Sequence, residues 1–343
     1  MNPRRTRRFR SLRTAPPLAL AVLLTAVSCS RRAAVELPAE PTEPVAGGTA
    51  VVAAASDITG INPLIDGAEA FNKSILDALF LQLFEEQPDF ADGPPTFAPE
   101  LAESWQWSDD ERTLAIELRP DVLWSDGAPV TAEDVVWTWQ RQTDERIGWV
   151  HSDAKEAIEA IEAIDAGRLV RFASASTTRL TELNQGHILP RHRWQKLPPQ
   201  EWRGNGGWFR DNLVVSGPFR LASWQPDRQI ELERNPAYYR QGYPRLDRVV
   251  FRIVPEPNNR LTQLLAGTVD YVSQVPPTAV ARIEEDPATR LESVWARQYN
   301  FLHWNVERQL FAEVVARRAL TLAIDRQKLV DTLWFGHAAV GSS

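Results

Sequence analysis

One thiol, five imidazoles and 45 carboxylates are the side chains from which this 343-residue chain could build a reaction centre. His187 and His192 flank Ile188-Leu189-Pro190-Arg191, with His151 upstream. A pair five residues apart, with Arg191 and Arg193 beside it, repels a cation, so solvated loop histidines are the simpler reading and no metal is expected. The chain has no His-Glu-x-x-His and no Gly-x-Ser-x-Gly, and nothing singles out a carboxylate pair for acid and base work. The pattern is that of a non-enzyme, with an exported hydrolase as the competing class; a cofactor is not expected. Thirteen tryptophans could stack on a sugar. Trp105, Trp107, Trp124, Trp137 and Trp139 crowd into one block, however, which reads as packing.

The thiol belongs to Cys29, so no internal disulfide can form. Arg4, Arg5, Arg7, Arg8, Arg10 and Arg13 precede an apolar run from Leu18 to Val27, the layout of an export signal over residues 1–28. That run is shorter than the roughly 20 apolar residues a membrane-spanning helix needs. Ala26-Val27-Ser28-Cys29 resembles a bacterial lipobox, in which the cysteine is acylated and becomes the new N-terminus, although Ala26 stands where Leu is usual. Cys29 is therefore the expected lipid anchor to a membrane. Residues 29–48, with Pro38, Pro41 and Pro44, read as a flexible linker. Removing residues 1–28 takes six of the 38 basic residues and none of the 45 acidic ones, so the formal charge moves from −7 to −13. Such a chain is poorly suited to neutralising phosphates, and no nucleic-acid partner is expected.

The elements that must position any site begin at Thr49, where Thr49 to Ala55 reads as a strand. A helix follows, capped by Asn72 or Ser74, with Ile75, Leu79 and Leu83 at helical spacing. Glu111 to Leu118 alternates as a strand, and Thr131 three residues before Asp134 signs the start of a helix carrying Val135 and Trp137. Asp153 to Ile164 has a helical pattern, Ala157, Ile158, Ile161 and Ile164, whose C-terminal part could instead run into a strand ending at Phe172. Gln195 to Asp211 reads as a loop and a junction. Strands are expected over Gly217 to Trp224, Ile230 to Arg234, Arg248 to Val254, Val269 to Val272 and Arg297 to Trp304, with helices over Asn258 to Gly267 and Val314 to Leu333. Strands and helices mixed in this order indicate an α/β or α+β protein of more than one lobe.

Three blocks carry a resemblance. The first is Pro99-Glu-Leu-Ala-Glu-Ser-Trp-Gln-Trp107, then Leu118-Arg-Pro-Asp-Val-Leu-Trp-Ser-Asp-Gly127 and Thr131-Ala-Glu-Asp-Val135. The second is Ser216-Gly-Pro-Phe-Arg-Leu221, Leu232-Glu-Arg-Asn-Pro-Ala-Tyr-Tyr239 and Leu264-Leu-Ala-Gly-Thr-Val-Asp-Tyr271. The third is Arg317-Arg-Ala-Leu-Thr-Leu-Ala-Ile-Asp-Arg-Gln-Lys-Leu-Val330. In this order they resemble the family 5 extracellular solute-binding proteins, which include receptors for oligopeptides, dipeptides, nickel complexes and haem.

The resemblance implies an α/β, periplasmic-binding-protein-like two-lobed clamp of type II with an extra small domain, its second lobe incomplete. Residues 49–84 and 212–298 would form domain I, 85–211 domain II, and 299–343 the start of domain III. It implies an extracytoplasmic receptor, monomeric, that captures a peptide or related small solute and delivers it to an ABC permease. A sensor or chaperone using the same clamp is the third class. By alignment the loop before the first helix (Ala70, Phe71, Asn72) and the hinge strand (Gln298, Phe301, His303) fall where relatives touch ligand, and Trp149 lies near a ligand-facing aromatic. Because the chain is expected to stop before its last lobe is complete, weak binding or none is expected of it alone.

Overall fold

Two strands whose paired residues lie 199 positions apart in sequence, Thr49–Ala54 (β1) and Arg248–Ile253 (β10), lie side by side in parallel. The computed structural model describes residues 44–89, 93–164, 167–294 and 300–341. The export signal, Cys29 and Gln298 lie outside the described residues, as does nearly all of the linker. From β1 the chain enters α1 (Ala70–Leu79), β2 (Phe84–Glu86), β3 (Phe97–Pro99), β4 (Ala102–Trp107) and β5 (Thr113–Leu118). Then come α2 (Ala132–Gln142), β6 (Ile158–Ile164), β7 (Gly167–Phe172), and the short helices α3 (Arg179–Asn184), α4 (Arg191–Trp194) and α5 (Gly206–Asp211). A second stretch supplies β8 (Phe219–Gln225), β9 (Gln229–Arg234), β10, α6 (Pro257–Leu265), β11 (Tyr271–Val272) and α7 (Val280–Glu284). The chain closes with α8 (Gln309–Ala312), α9 (Val314–Ala323) and α10 (Arg326–Leu333).

These strands make a five-stranded mixed sheet, β11-β1-β10-β9-β8, a β2-β3 ribbon, and a four-stranded antiparallel sheet, β4-β5-β7-β6. The first sheet is closed by residues more than 190 positions apart, a non-local pairing that raises the contact order of the fold. Leu114 and Ile116 of β5 face inward while Ala115 and Glu117 are exposed, the alternation that places one sheet face on the core. Thr131 and Asp134 form a reciprocal capping box at the head of α2, with the Thr131 N–H donating to Asp134 Oδ2 at 2.8 Å. Asp134 also accepts from the Arg191 N–H at 3.0 Å and from Trp124 Nε1 at 3.4 Å, so one carboxylate ties three segments together.

Three stretches show how the elements differ from the sequence reading. The Asp153–Ile164 segment is a 3-10 turn, Ser152–Lys155, followed by strand β6. A register shift between Ile158 and Ala160 inserts one extra residue, so Ile158 and Ile161, three apart, are both buried on one strand face. A bulge of this kind imitates helical spacing. The Gln195–Asp211 stretch is packed: Trp202 and Phe209 are each 1% exposed and contact Trp194 edge-on, at 6.0 and 4.8 Å between ring centroids. The Val314–Leu333 pattern divides into α9 and α10 at Ile324-Asp325, where the Asp325 carboxylate accepts from the Lys328 N–H at 2.9 Å and caps α10.

Candidate functional site

Asn72 is the third residue of α1, and its side chain is hydrogen-bonded through both amide atoms. Its Oδ1 accepts from the Thr59 N–H (2.7 Å) and hydroxyl (3.1 Å), and its Nδ2 donates to the Gly60 carbonyl (2.9 Å). These bonds fasten the loop between β1 and α1 to the helix. Asp66 helps from within that loop by accepting from the Asn62 N–H at 3.0 Å, and burial pushes its pKa up. Ala70–Asn72 therefore forms the first helical turn rather than the loop before it, Glu69 holds the cap position, and neither Asn72 nor Ser74 caps the helix. Ala70 is exposed, and Phe71 is half-buried with its ring edge-on to Phe251 at 5.7 Å. Asn72 is 1% exposed, and the bonds its amide makes are to the loop.

Phe301 and His303 are exposed, with their rings 4.8 Å apart, and residues 300–304 carry no strand. Around them Leu302, Val306, Leu310, Val314, Val315 and Leu322 are also exposed, so the segment presents an apolar surface. Trp149 is different: it is 4% exposed and sits in the core, in contact with His151 and with Lys155 Nζ 5.8 Å from its ring. The expectation of a ligand-facing aromatic at Trp149 is corrected accordingly. The tryptophans of the first block pack as expected: Trp124 and Trp137 are buried, and Trp105, Trp107 and Trp139 lie against the core.

Two crossings connect the sheets. In the first, residues 81–84, the Ile188 N–H donates to the Leu81 carbonyl at 3.0 Å and the Ala102 N–H to the Leu83 carbonyl at 2.8 Å. In the second, the Ser216 and Gly217 N–H groups both reach the Leu79 carbonyl, and Ser216 Oγ accepts from the Leu81 N–H at 3.1 Å. The crossings are thereby bonded to one another at the C-terminal end of α1. Sequence reasoning had no handle on most of these partners, because every bond but that of Ala102 to Leu83 joins residues more than a hundred apart.

The histidine reading also changes. His187 is 4% exposed, and its Nε2 lies 2.8 Å from Asp77 Oδ1, while His192 Nε2 lies 2.9 Å from Asp126 Oδ2. Burial raises the Asp77 pKa, but His187 and Lys73 more than offset it and hold this carboxyl below its ordinary value. Asp126 is likewise lowered, by His192 and Arg193 acting against burial. Each imidazole is matched to its own carboxylate, and among the described residues no group of three or more His, Cys, Asp or Glu side chains converges as metal ligands.

Two cavities stand out. One, of about 10 Å³ and lined by Thr138, Trp139, Gln142 and Lys155 among others, has room for a single water. The other is an open groove of about 280 Å³ along α10, lined by Ile324, Lys328, Leu329 and Leu333. Neither lies between the two sheets.

The model of the bacterial extracellular solute-binding proteins, family 5, matches residues 96–343. This chain belongs to that family. The oligopeptide-binding protein AppA of Bacillus subtilis is 26% identical over 334 residues, covering 94% of the family 5 chain described here and 58% of AppA. The peptide transport periplasmic protein SapA of Salmonella typhimurium is 27% identical over 286 residues, covering 78% of this chain and 52% of SapA. The chain thus spans a little over half the length of these relatives. The solved structure of Bacillus subtilis AppA in complex with a nonapeptide superposes with a TM-score of 0.76 over 87% of this family 5 chain and 58% of AppA. NikZ from Campylobacter jejuni, in complex with Ni(L-His), superposes at 0.70 with 20% identity and shares the fold.

Proposed function

We propose that this chain is part of the extracytoplasmic substrate-binding receptor of an ABC importer, which captures a peptide or a related small solute and passes it to a membrane permease. The observation that carries this reading is the superposition on a peptide-bound family 5 receptor across nearly the whole described chain. Clamps of this kind hold a guest in a desolvated cleft between two walls, and peptides are gripped largely through their main chain. Residues 49–84 and 212–298 form one domain, 85–211 the second, and 299–343 begin the third. The exposed Ala70, the half-buried Phe71, and Gln298, Phe301 and His303 are the residues proposed to meet the solute. Export through residues 1–28, anchoring by an acylated Cys29 and a monomeric state complete the proposal.

Native mass spectrometry of the purified complete gene product, incubated with an equimolar nonapeptide library, tests the reading. Retention of intact peptide at a single site is the expected result. Cleavage of the library, or a complete gene product that retains no peptide or other small solute, overturns it.

A further inference from the structure

The corner after β9 carries a ladder of alternating arginine and tyrosine side chains. The Arg119 guanidinium lies 4.9 Å from the centroid of the Tyr239 ring, Arg240 lies 5.9 Å from that ring and 6.0 Å from the Tyr243 ring, and Arg245 lies 5.2 Å from Tyr243. A guanidinium held over a ring keeps the N–H donors at its edge for other acceptors. Tyr243 is 47% exposed and Arg245 is exposed, so the ladder ends at the surface. Two carboxylates of this region are already matched: Glu85 Oε2 accepts from Arg240 at 3.0 Å, and Asp247 is paired with Arg234 at 3.0 Å. Arg119 and Arg245 have no carboxylate partner among the described residues. Positive charge is therefore left over at this corner, on a chain whose formal charge is −13 once residues 1–28 are removed. The linker joins the fold against the end of the ladder, since the Gly47 N–H donates to the Arg245 carbonyl at 2.7 Å and the Gly48 N–H to Asp247 Oδ2 at 2.9 Å. Cys29 lies 18 positions before Gly47, so a chain anchored there holds this corner within about 65 Å of the bilayer even at full extension.

We propose that the Arg119–Tyr239–Arg240–Tyr243–Arg245 ladder is a contact surface for the anionic lipid headgroups of the membrane that tethers the chain. The choice of a lipid as partner rests on the anchoring proposed at Cys29. A phosphodiester offers the acceptor oxygens that a guanidinium fork matches, and a half-exposed tyrosine ring suits the headgroup level of a bilayer. The acidic remainder of the chain is repelled by such a surface. Contact is thereby confined to this corner, which fixes the face that the protein turns toward the membrane.

The test is co-sedimentation at low salt with vesicles of phosphatidylcholine alone and of phosphatidylcholine mixed with phosphatidylglycerol. The protein is the complete gene product begun at residue 29 and carrying Cys29→Ser, which keeps every described residue and has no thiol to acylate. Vesicle binding then reports the ladder by itself, while mass spectrometry of the native protein reads the lipid on Cys29, so the two proposals fail separately. Retention on the anionic vesicles alone is expected, and Arg245→Gln should weaken it about fivefold. Arg228→Gln makes the same charge change at the turn between β8 and β9, the far end of β9 from the ladder, and should weaken it much less. Equal retention on both kinds of vesicle, retention on neither, or an Arg245→Gln effect no larger than that of Arg228→Gln overturns the proposal. Displacement by glycerol phosphate or by an acidic peptide, at the anion concentration of the headgroups, overturns it too by assigning the ladder to a soluble anion or a protein partner.

Discussion

Asn184 completes the hydrogen bonding of Phe84 on both sides: its Oδ1 accepts from the Phe84 N–H at 2.9 Å and its Nδ2 donates to the Phe84 carbonyl at 2.9 Å. A side chain a hundred residues away thus stands in for a neighbouring strand, in the paired geometry of an antiparallel ladder. Both residues are buried. Asn184→Ala orphans two buried backbone groups at once, and at about 1–3 kcal/mol for each the expected loss is roughly 2–6 kcal/mol. Urea unfolding should show a lower midpoint with an unchanged slope.

Trp194 touches Phe80, Trp202 and Phe209 edge-on and is fully buried. Trp194→Ala should cost about 3–5 kcal/mol, the range for deleting a large buried aromatic. Trp194→Phe should cost less, because it keeps most of the ring area. Thermal melts of the two variants give the comparison.

Lys155 is buried, and its ammonium donates to the Glu182 and Leu183 carbonyls at 2.8 and 2.7 Å. Burial lowers its pKa to about 7, and Glu182 opposes the shift. Between pH 7 and the ordinary lysine value the unfolded chain then holds a proton that the folded chain has released. This residue's contribution to stability should therefore rise with pH across that window, by at most about 1.4 kcal/mol per pH unit. Glu100 has the opposite sign. Its raised pKa contributes stability below the ordinary glutamate value, and that contribution is lost as pH rises toward about 7. Denaturation midpoints measured from pH 5 to 10 should dip near neutrality. Lys155→Met should flatten the alkaline limb and leave the acid limb in place.

A Cβ built on Gly217 would stand 2.7 Å from the Ala78 carbonyl oxygen and 2.7 Å from the Leu79 carbonyl carbon. Both neighbours are main chain and cannot swing away. Gly217→Ala should destabilise by about 1–3 kcal/mol, the usual cost of overpacking. Gly207→Ala meets open space and should be close to neutral. Circular dichroism melts of the pair separate the clash from a general effect of losing glycine.

The sequence by itself determined the family, through three ordered blocks, and most strands of the five-stranded sheet, because their apolar alternation is local. It also determined the Thr131–Asp134 cap, whose two partners lie three residues apart. Only the tertiary structure decided that residues 158–164 are a strand, since a bulge there places Ile158 and Ile161 on one face at a spacing a helix would also produce. Packing likewise decided the fates of Trp149, His187 and Asn72. An aromatic, an imidazole and an amide look the same in sequence whether they meet a solute or the protein. The hydrogen-bond partners of His187 and Asn72, Asp77 and Thr59, are residues that folding brings within reach over separations of 110 and 13 positions. Such partners are set by where distant segments land, which no local pattern encodes.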